Sequence, residues 1–185
     1  AGGVFFSEYA EGSSNNKALE IYNATDAEIN MADYATWLIS NGGDWLEGEG
    51  NSVEFGTLEE ELQTDLLVGP GETFVIVNSS AMPEMQALAD VIGTSACWFN
   101  GDDAMGLAHF DGAVWNLIDA IGEEGADPGS GWTVSGVSNG TKDHTIVRLP
   151  SVLESTTDWT AGAIQWQVLA QNDISGLGSH VIAGG

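Results

Sequence analysis

Glycine punctuates this chain so densely that few uninterrupted stretches are long enough for anything but a short strand. The 25 glycines follow no collagen-type period, and glycine is the residue that lets a backbone turn at little steric cost. Between them lie apolar or alternating runs. Val4–Ala10 opens the series, a polar loop holding Gly12 follows, and Lys17–Asn23 returns with Leu19 and Ile21 on one face and Glu20 and Tyr22 on the other. That period of two predicts a half-buried strand, antiparallel to the first. Thr36–Ser40, Ser52–Gly56 and the apolar Thr73–Asn78 read as further strands, the last of them central. Asp111-Gly112, set between Ala104–Phe110 and Ala113–Ile121, is the strongest hairpin signal. Trp132–Val134, His144–Leu149 and Gln165–Leu169 complete a set of about ten short strands, the pattern of an antiparallel β-sandwich.

One short helix is expected, over Ser79–Val91. Ser79 or Ser80 can cap it, Pro83 suits its first turn, and Gly93 ends it. Asp44–Gly50, acidic and rich in glycine, reads as a surface loop. The run Glu59-Glu60-Glu61 reads as solvated charge, and so does Glu123-Glu124. No linker, repeat or shift of composition divides residues 1–185, so a single domain is expected, with its core over about residues 4–181.

Charge narrows the function. Acidic residues number 28 against three cations, Lys17, Lys142 and Arg148, for a net charge of −25. Such a surface repels phosphate backbones and anionic membranes, since affinity for either rests on Lys and Arg. It suits saline or extracellular surroundings, or the collection of divalent cations. No apolar run approaches the ~20 residues of a membrane-spanning helix. Cys97 is the lone cysteine, so no internal disulfide forms. With an opening of Ala1-Gly2-Gly3 straight into a strand, a mature, secreted product whose signal peptide has been removed is the expectation.

Few residues suggest chemistry. Asp102 and Asp103, in the turn Asn100-Gly101-Asp102-Asp103, offer paired carboxylates to a hard cation such as calcium, although the spacing is not that of a twelve-residue calcium loop. The plainer reading has Asp102 bonding turn amides and Asp103 facing a cation. Lys17, scarce as it is, needs a partner, and Asp102 and Asp103 are the expected ones. His109, His144 and His180 share no zinc-type spacing. Cys97 is expected in a buried cluster with Trp98 and Phe99. The Gly-x-Ser-x-Gly match Gly136-Val137-Ser138-Asn139-Gly140 falls in the loop between two expected strands rather than at a strand-to-helix elbow, and neither a P-loop nor a dinucleotide fingerprint occurs, so no enzyme and no required cofactor is expected, with calcium the one candidate ion. Six of the seven tryptophans sit in or beside strands and are expected to fill the core or cover the sheets. Trp45, in the acidic loop, is expected to be exposed and available for sugar stacking or a subunit contact.

Together these stretches resemble a known family. Ser13–Asn23 (SSNNKALEIYN) after Phe6-Ser7-Glu8-Tyr9 is similar to the opening of bacterial lamin-tail domains. In the same order follow Gly69-Pro70-Gly71-Glu72, Asn78-Ser79-Ser80, Phe99–Ala104, Leu117-Ile118-Asp119, Asp127-Pro128-Gly129, Arg148, Trp159 and Leu177-Gly178-Ser179-His180. The resemblance spans roughly residues 4–181 and implies an immunoglobulin-like β-sandwich, a non-catalytic module of secreted or surface proteins that often accompanies an extracellular hydrolase. The charge departs from that of nuclear lamin tails, so DNA contacts are not carried over. The leading expectation is a secreted structural module that assembles with itself, as a homo-oligomer or filament, or meets a surface or matrix partner. Val4, Phe5 and Phe6 of the first strand and the tail Val181–Gly185 are the expected reaching segments. The alternative is a monomeric recognition module binding glycan or protein through Trp45.

Overall fold

The computed structural model describes residues 2–58 and 66–184. The acidic run Glu59-Glu60-Glu61 lies outside the described residues. The strands are β1 (Val4–Glu11), β2 (Lys17–Asn23), β3 (Ile29–Asn30), β4 (Tyr34–Ile39), β5 (Val53–Glu54), β6 (Leu67–Val68), β7 (Thr73–Val77) and β8 (Val91–Ile92). They continue as β9 (Ala104–Phe110), β10 (Trp115–Ile121), β11 (His144–Arg148) and β12 (Trp166–Leu169). Two sheets face each other: a six-stranded sheet ordered β12-β11-β1-β2-β7-β8 and a four-stranded sheet ordered β10-β9-β4-β5, with β3 and β6 paired separately. All pairings are antiparallel except β7 with β8. The expected immunoglobulin-like sandwich is the fold.

The core lies between the sheets. Phe6, Tyr9, Leu19, Ile21, Phe74, Ile76 and Ile146 come from the larger sheet and meet Tyr34, Ile39, Met105, Leu107 and Ile121 of the smaller. Arg148 of β11 and Asp119 of β10 cross this interface as a fully buried ion pair. Asp119 also accepts from the Phe6 amide at 2.9 Å and the Thr156 amide at 3.0 Å. Arg148 donates to the Phe6 carbonyl at 2.9 Å and lies 4.1 Å from the Trp166 ring centroid. Nη1 donates to Gln165 Oε1 at 2.9 Å, so each nitrogen of the guanidinium has an oxygen partner and the flat face meets an aromatic ring, which lowers the cost of burying arginine.

The first two strands pair antiparallel as expected, but the second is not half-buried. Every residue of β1 and of β2 is buried. The outer face is covered as well, where Ala10, Ala18, Val75 and Val77 lie under Ala81, Met85 and Leu177. The hairpin of β9 and β10 also forms as expected. Asp111 Oδ1 accepts the Ala113 and Val114 amides, and Gly112 takes φ +97°.

The helices differ from expectation. Only α2 (Pro83–Gln86) forms within Ser79–Val91. Asp90 then accepts the Val75 amide at 2.8 Å and returns its own amide to the Val75 carbonyl at 2.9 Å. Two bonds to a sheet edge outcompete helical continuation, and the chain turns into β8. Conversely, Asp44–Gly50 is no loop. Asp44 caps the Glu47 amide at 2.9 Å and starts α1 (Trp45–Gly50). A third short helix, α3, spans Trp159–Gly162.

Candidate functional site

Trp98 is the one tryptophan among the described residues that stands mostly in solvent. It is 68% exposed, while its neighbours Cys97 and Phe99 are fully buried. The turn that produces this is held by side chains of the larger sheet. Thr94 caps the short 3-10 turn Ser95–Cys97. Asn78 donates to the Cys97 carbonyl at 2.9 Å, Lys17 to the Phe99 carbonyl at 2.5 Å, and Phe99 stacks on Tyr9 with centroids 4.5 Å apart. Both carbonyls flanking Trp98 are thus anchored from below, and the indole stands on a fixed base.

Polar clefts open on both sides of it. One, of about 450 Å³, is lined by Ser40, Asn41, Asn51, Ser52, Asn100 and Asp102 beside the indole. The Ser52 hydroxyl is buried there without a hydrogen-bond partner among the described residues. The other, of about 340 Å³, is lined by Asn15, Lys17, Asn78, Ser79 and Ser80. An aromatic face framed by amides and hydroxyls offers both donors and acceptors around a flat apolar platform. That set suits a ligand with an apolar face and many hydroxyls.

Lys17, the residue expected to face Asp102 and Asp103, has a different partner. Its ammonium forms a salt bridge with Glu11 at 3.2 Å and donates to Asn100 Oδ1 at 3.0 Å. Asp103 is turned inward, accepting the Asn100 amide at 2.7 Å. Burial pushes its carboxyl up, while the Asn100 amide and, more weakly, Lys17 pull it down. Lys17 and Asn100 therefore fasten the Trp98 turn from β2. Among the described residues no third acidic, histidine or cysteine side chain joins Asp102 and Asp103 in a metal-binding group.

Trp45 is not the exposed tryptophan. Carried by α1, it lies half-buried over Ala35, Trp37 and Ala108 on the outside of the smaller sheet. A Cβ at Gly106 would come within 3.0 Å of its ring, so the glycine makes its seat. Trp98, expected in the core, takes the exposed role. Its sequence setting between Cys97 and Phe99 hides this, because Trp98 is the C-cap at which the chain leaves the 3-10 turn Ser95–Cys97.

Val4, Phe5 and Phe6 do not reach outward either. They are buried, and β1 has a paired neighbour on each side. A strand in the middle of a sheet cannot add to another chain, so the free edges are β12 and β8 in the larger sheet and β10 and β5 in the smaller.

Burial pushes the Cys97 thiol up to about 12, which makes it an inert apolar group rather than a nucleophile. His180 sits edge-on to Tyr22 with centroids 4.9 Å apart, and burial lowers it to about 4. No helix among the described residues is long and apolar enough to cross a membrane.

The two sheets and the buried ion pair that crosses between them make an immunoglobulin-like β-sandwich module. The family model of the lamin tail domain matches residues 1–126, and the chain belongs to that family of non-catalytic immunoglobulin-like domains. No curated protein and no solved structure matches it.

Proposed function

We propose that this chain is a non-catalytic, extracellular recognition module that takes neutral, hydroxyl-rich ligands, glycans foremost, on Trp98. The observation that carries the reading is a large aromatic face 68% exposed on an anchored turn, with polar clefts to either side. Aromatic residues of this kind dominate binding energy where they occur in recognition surfaces. The net charge of −25 favours neutral over anionic ligands. Lys17 in the second cleft does not reverse this, because Glu11 neutralises it.

A glycan array followed by titration calorimetry tests the reading. We expect saturable binding of at least one neutral glycan by the wild-type chain. Trp98→Ala is expected to lose about 2 kcal/mol, roughly thirtyfold in affinity, with little change in melting temperature, since the removed side chain is exposed. No binding across the array, or equal binding by Trp98→Ala, overturns it.

Assembly through the edge strand β10 is a second reading. That strand is an edge, and Trp115 pairs with Phe110 near its start at 5.4 Å between centroids. A second copy adding antiparallel to β10 is the occupant this edge suits. Concentration-dependent sedimentation that is abolished by Trp115→Lys is the expected result, and a strict monomer at high concentration rejects it.

A further inference from the structure

The outer face of the six-stranded sheet carries a feature that ligand binding at Trp98 does not use. Glu8 of β1 and Glu20 of β2 are register partners, so their carboxylates stand side by side. Like charges directly opposite one another destabilise a sheet even in water. Here they are 1% and 0% exposed, beneath the chain segment 173–180. Glu20 is satisfied, accepting the Ser7 hydroxyl at 2.6 Å and the Gly178 amide at 2.6 Å. Neither oxygen of Glu8 has a hydrogen-bond partner among the described residues.

Two further observations sit at the same place. Thr145 of β11 pairs with Ala10, which puts it diagonal to Glu8 on the covered face, and its buried hydroxyl is also unpartnered. The covering segment comes down onto Glu8 at Gly176, where a Cβ would lie 2.7 Å from Glu8 Oε2. Protein cations cannot serve the pair. Lys17 and Arg148 are committed to Glu11 and Asp119, and Lys142 is exposed elsewhere. Asp173 is close enough to be felt, but its carboxylate accepts the Ser175 amide at 3.0 Å and hydroxyl at 2.6 Å. Burial first, then Glu20 and Asp173, push Glu8 up to about 8.

We propose that Glu8 and Glu20, with the Thr145 hydroxyl, form a site for a hard divalent cation of the calcium type, which fastens the segment 173–180 onto the sheet. Two carboxylates balance the double charge, and the oxygen-only donor set excludes soft metals. A proton on Glu8 relieves the repulsion too, yet leaves its oxygens and the Thr145 hydroxyl without partners. A cation meets all of them. This site stands apart from Trp98, and its failure leaves the recognition reading untouched.

Titration calorimetry of the full chain, stripped with chelator and held at pH 7.5 in potassium chloride to screen the acidic surface, decides the matter. Calcium chloride is the probe, with magnesium chloride beside it. The wild-type chain is expected to show one saturable calcium event, a raised melting temperature and slower proteolysis of the segment 173–180. Glu8→Gln is expected to bind calcium at least about tenfold more weakly while melting no lower than the stripped wild type. Absence of a saturable event, or equal affinity in Glu8→Gln, overturns the site; the latter outcome assigns the ion to exposed carboxylates. If Glu8→Gln fails to fold, Thr145→Val takes its place, with weaker calcium binding expected and unchanged affinity overturning the proposal.

Discussion

Arg148 and Asp119 show how a chain with so few cations spends one of them inside. The pair is fully buried, and burial pushes Asp119 up and Arg148 down while their mutual attraction opposes both. Replacing Asp119 by Asn leaves a guanidinium in the core without its counter-charge. Breaking a buried pair from one side costs about 3–5 kcal/mol. Urea unfolding of Asp119→Asn is expected to show a loss of that size, and a loss below about 1 kcal/mol contradicts the role given to the pair. Glu8 makes a second prediction at this scale, through pH. Its folded-state value of about 8 lies above the ordinary 4.5, so between those limits the folded chain holds a proton that the unfolded chain does not. Stability from this group is therefore full below about 4.5 and is lost as pH rises through 8. His180 runs the other way: lowered from 6.5 to about 4, it removes stability as pH falls through that window. Stripped of divalent ions, the chain is expected to lose a few kcal/mol between pH 6 and pH 9. Glu8→Gln is expected to flatten that slope, which denaturant midpoints at matched ionic strength measure.

Among the elements, those that obey a local rule were legible in the sequence, and those set by a distant partner were not. β1, β2 and β9–β10 follow from alternation and from the Asp111-Gly112 turn, and Pro150 lies just past the end of β11. The helix expected over Ser79–Val91 shrank to α2, because Asp90 is tied to Val75, a contact between residues fifteen positions apart. Trp45 looked exposed because its loop is polar; the glycine that seats it, Gly106, lies on another strand. The candidate site was half visible. Lys17 stands out in the sequence as a scarce cation that needs a partner, yet what it holds in place, the Trp98 turn, emerges only from the packing. Trp45→Ala is accordingly expected to cost about 1–3 kcal/mol of stability and to leave glycan affinity unchanged, the reverse of Trp98→Ala. Thermal melts and calorimetry on the two variants separate these roles, and a Trp45→Ala chain that is stable but unable to bind contradicts the assignment.

For the molecule as a whole, the sandwich must hold together against its own charge. Of three cations, Lys17 and Arg148 are buried in pairs, which leaves Lys142 as the exposed one. The surface facing solvent is therefore almost entirely acidic, and its self-repulsion opposes the compact state. Salt relieves that repulsion over a distance that shrinks from roughly 30 Å at 0.01 M to about 3 Å at 1 M. The buried pair of Arg148 and Asp119 is screened far less, because salt does not enter the core. Raising potassium chloride across this range is thus expected to stabilise the chain, where a fold resting on surface ion pairs loses stability instead. The same repulsion acts between copies, so association through β10 is expected only at the high-salt end. Melting temperature and sedimentation measured along one salt series check both: a melting temperature that falls with salt, or assembly strongest at low salt, contradicts an architecture whose charges mainly repel.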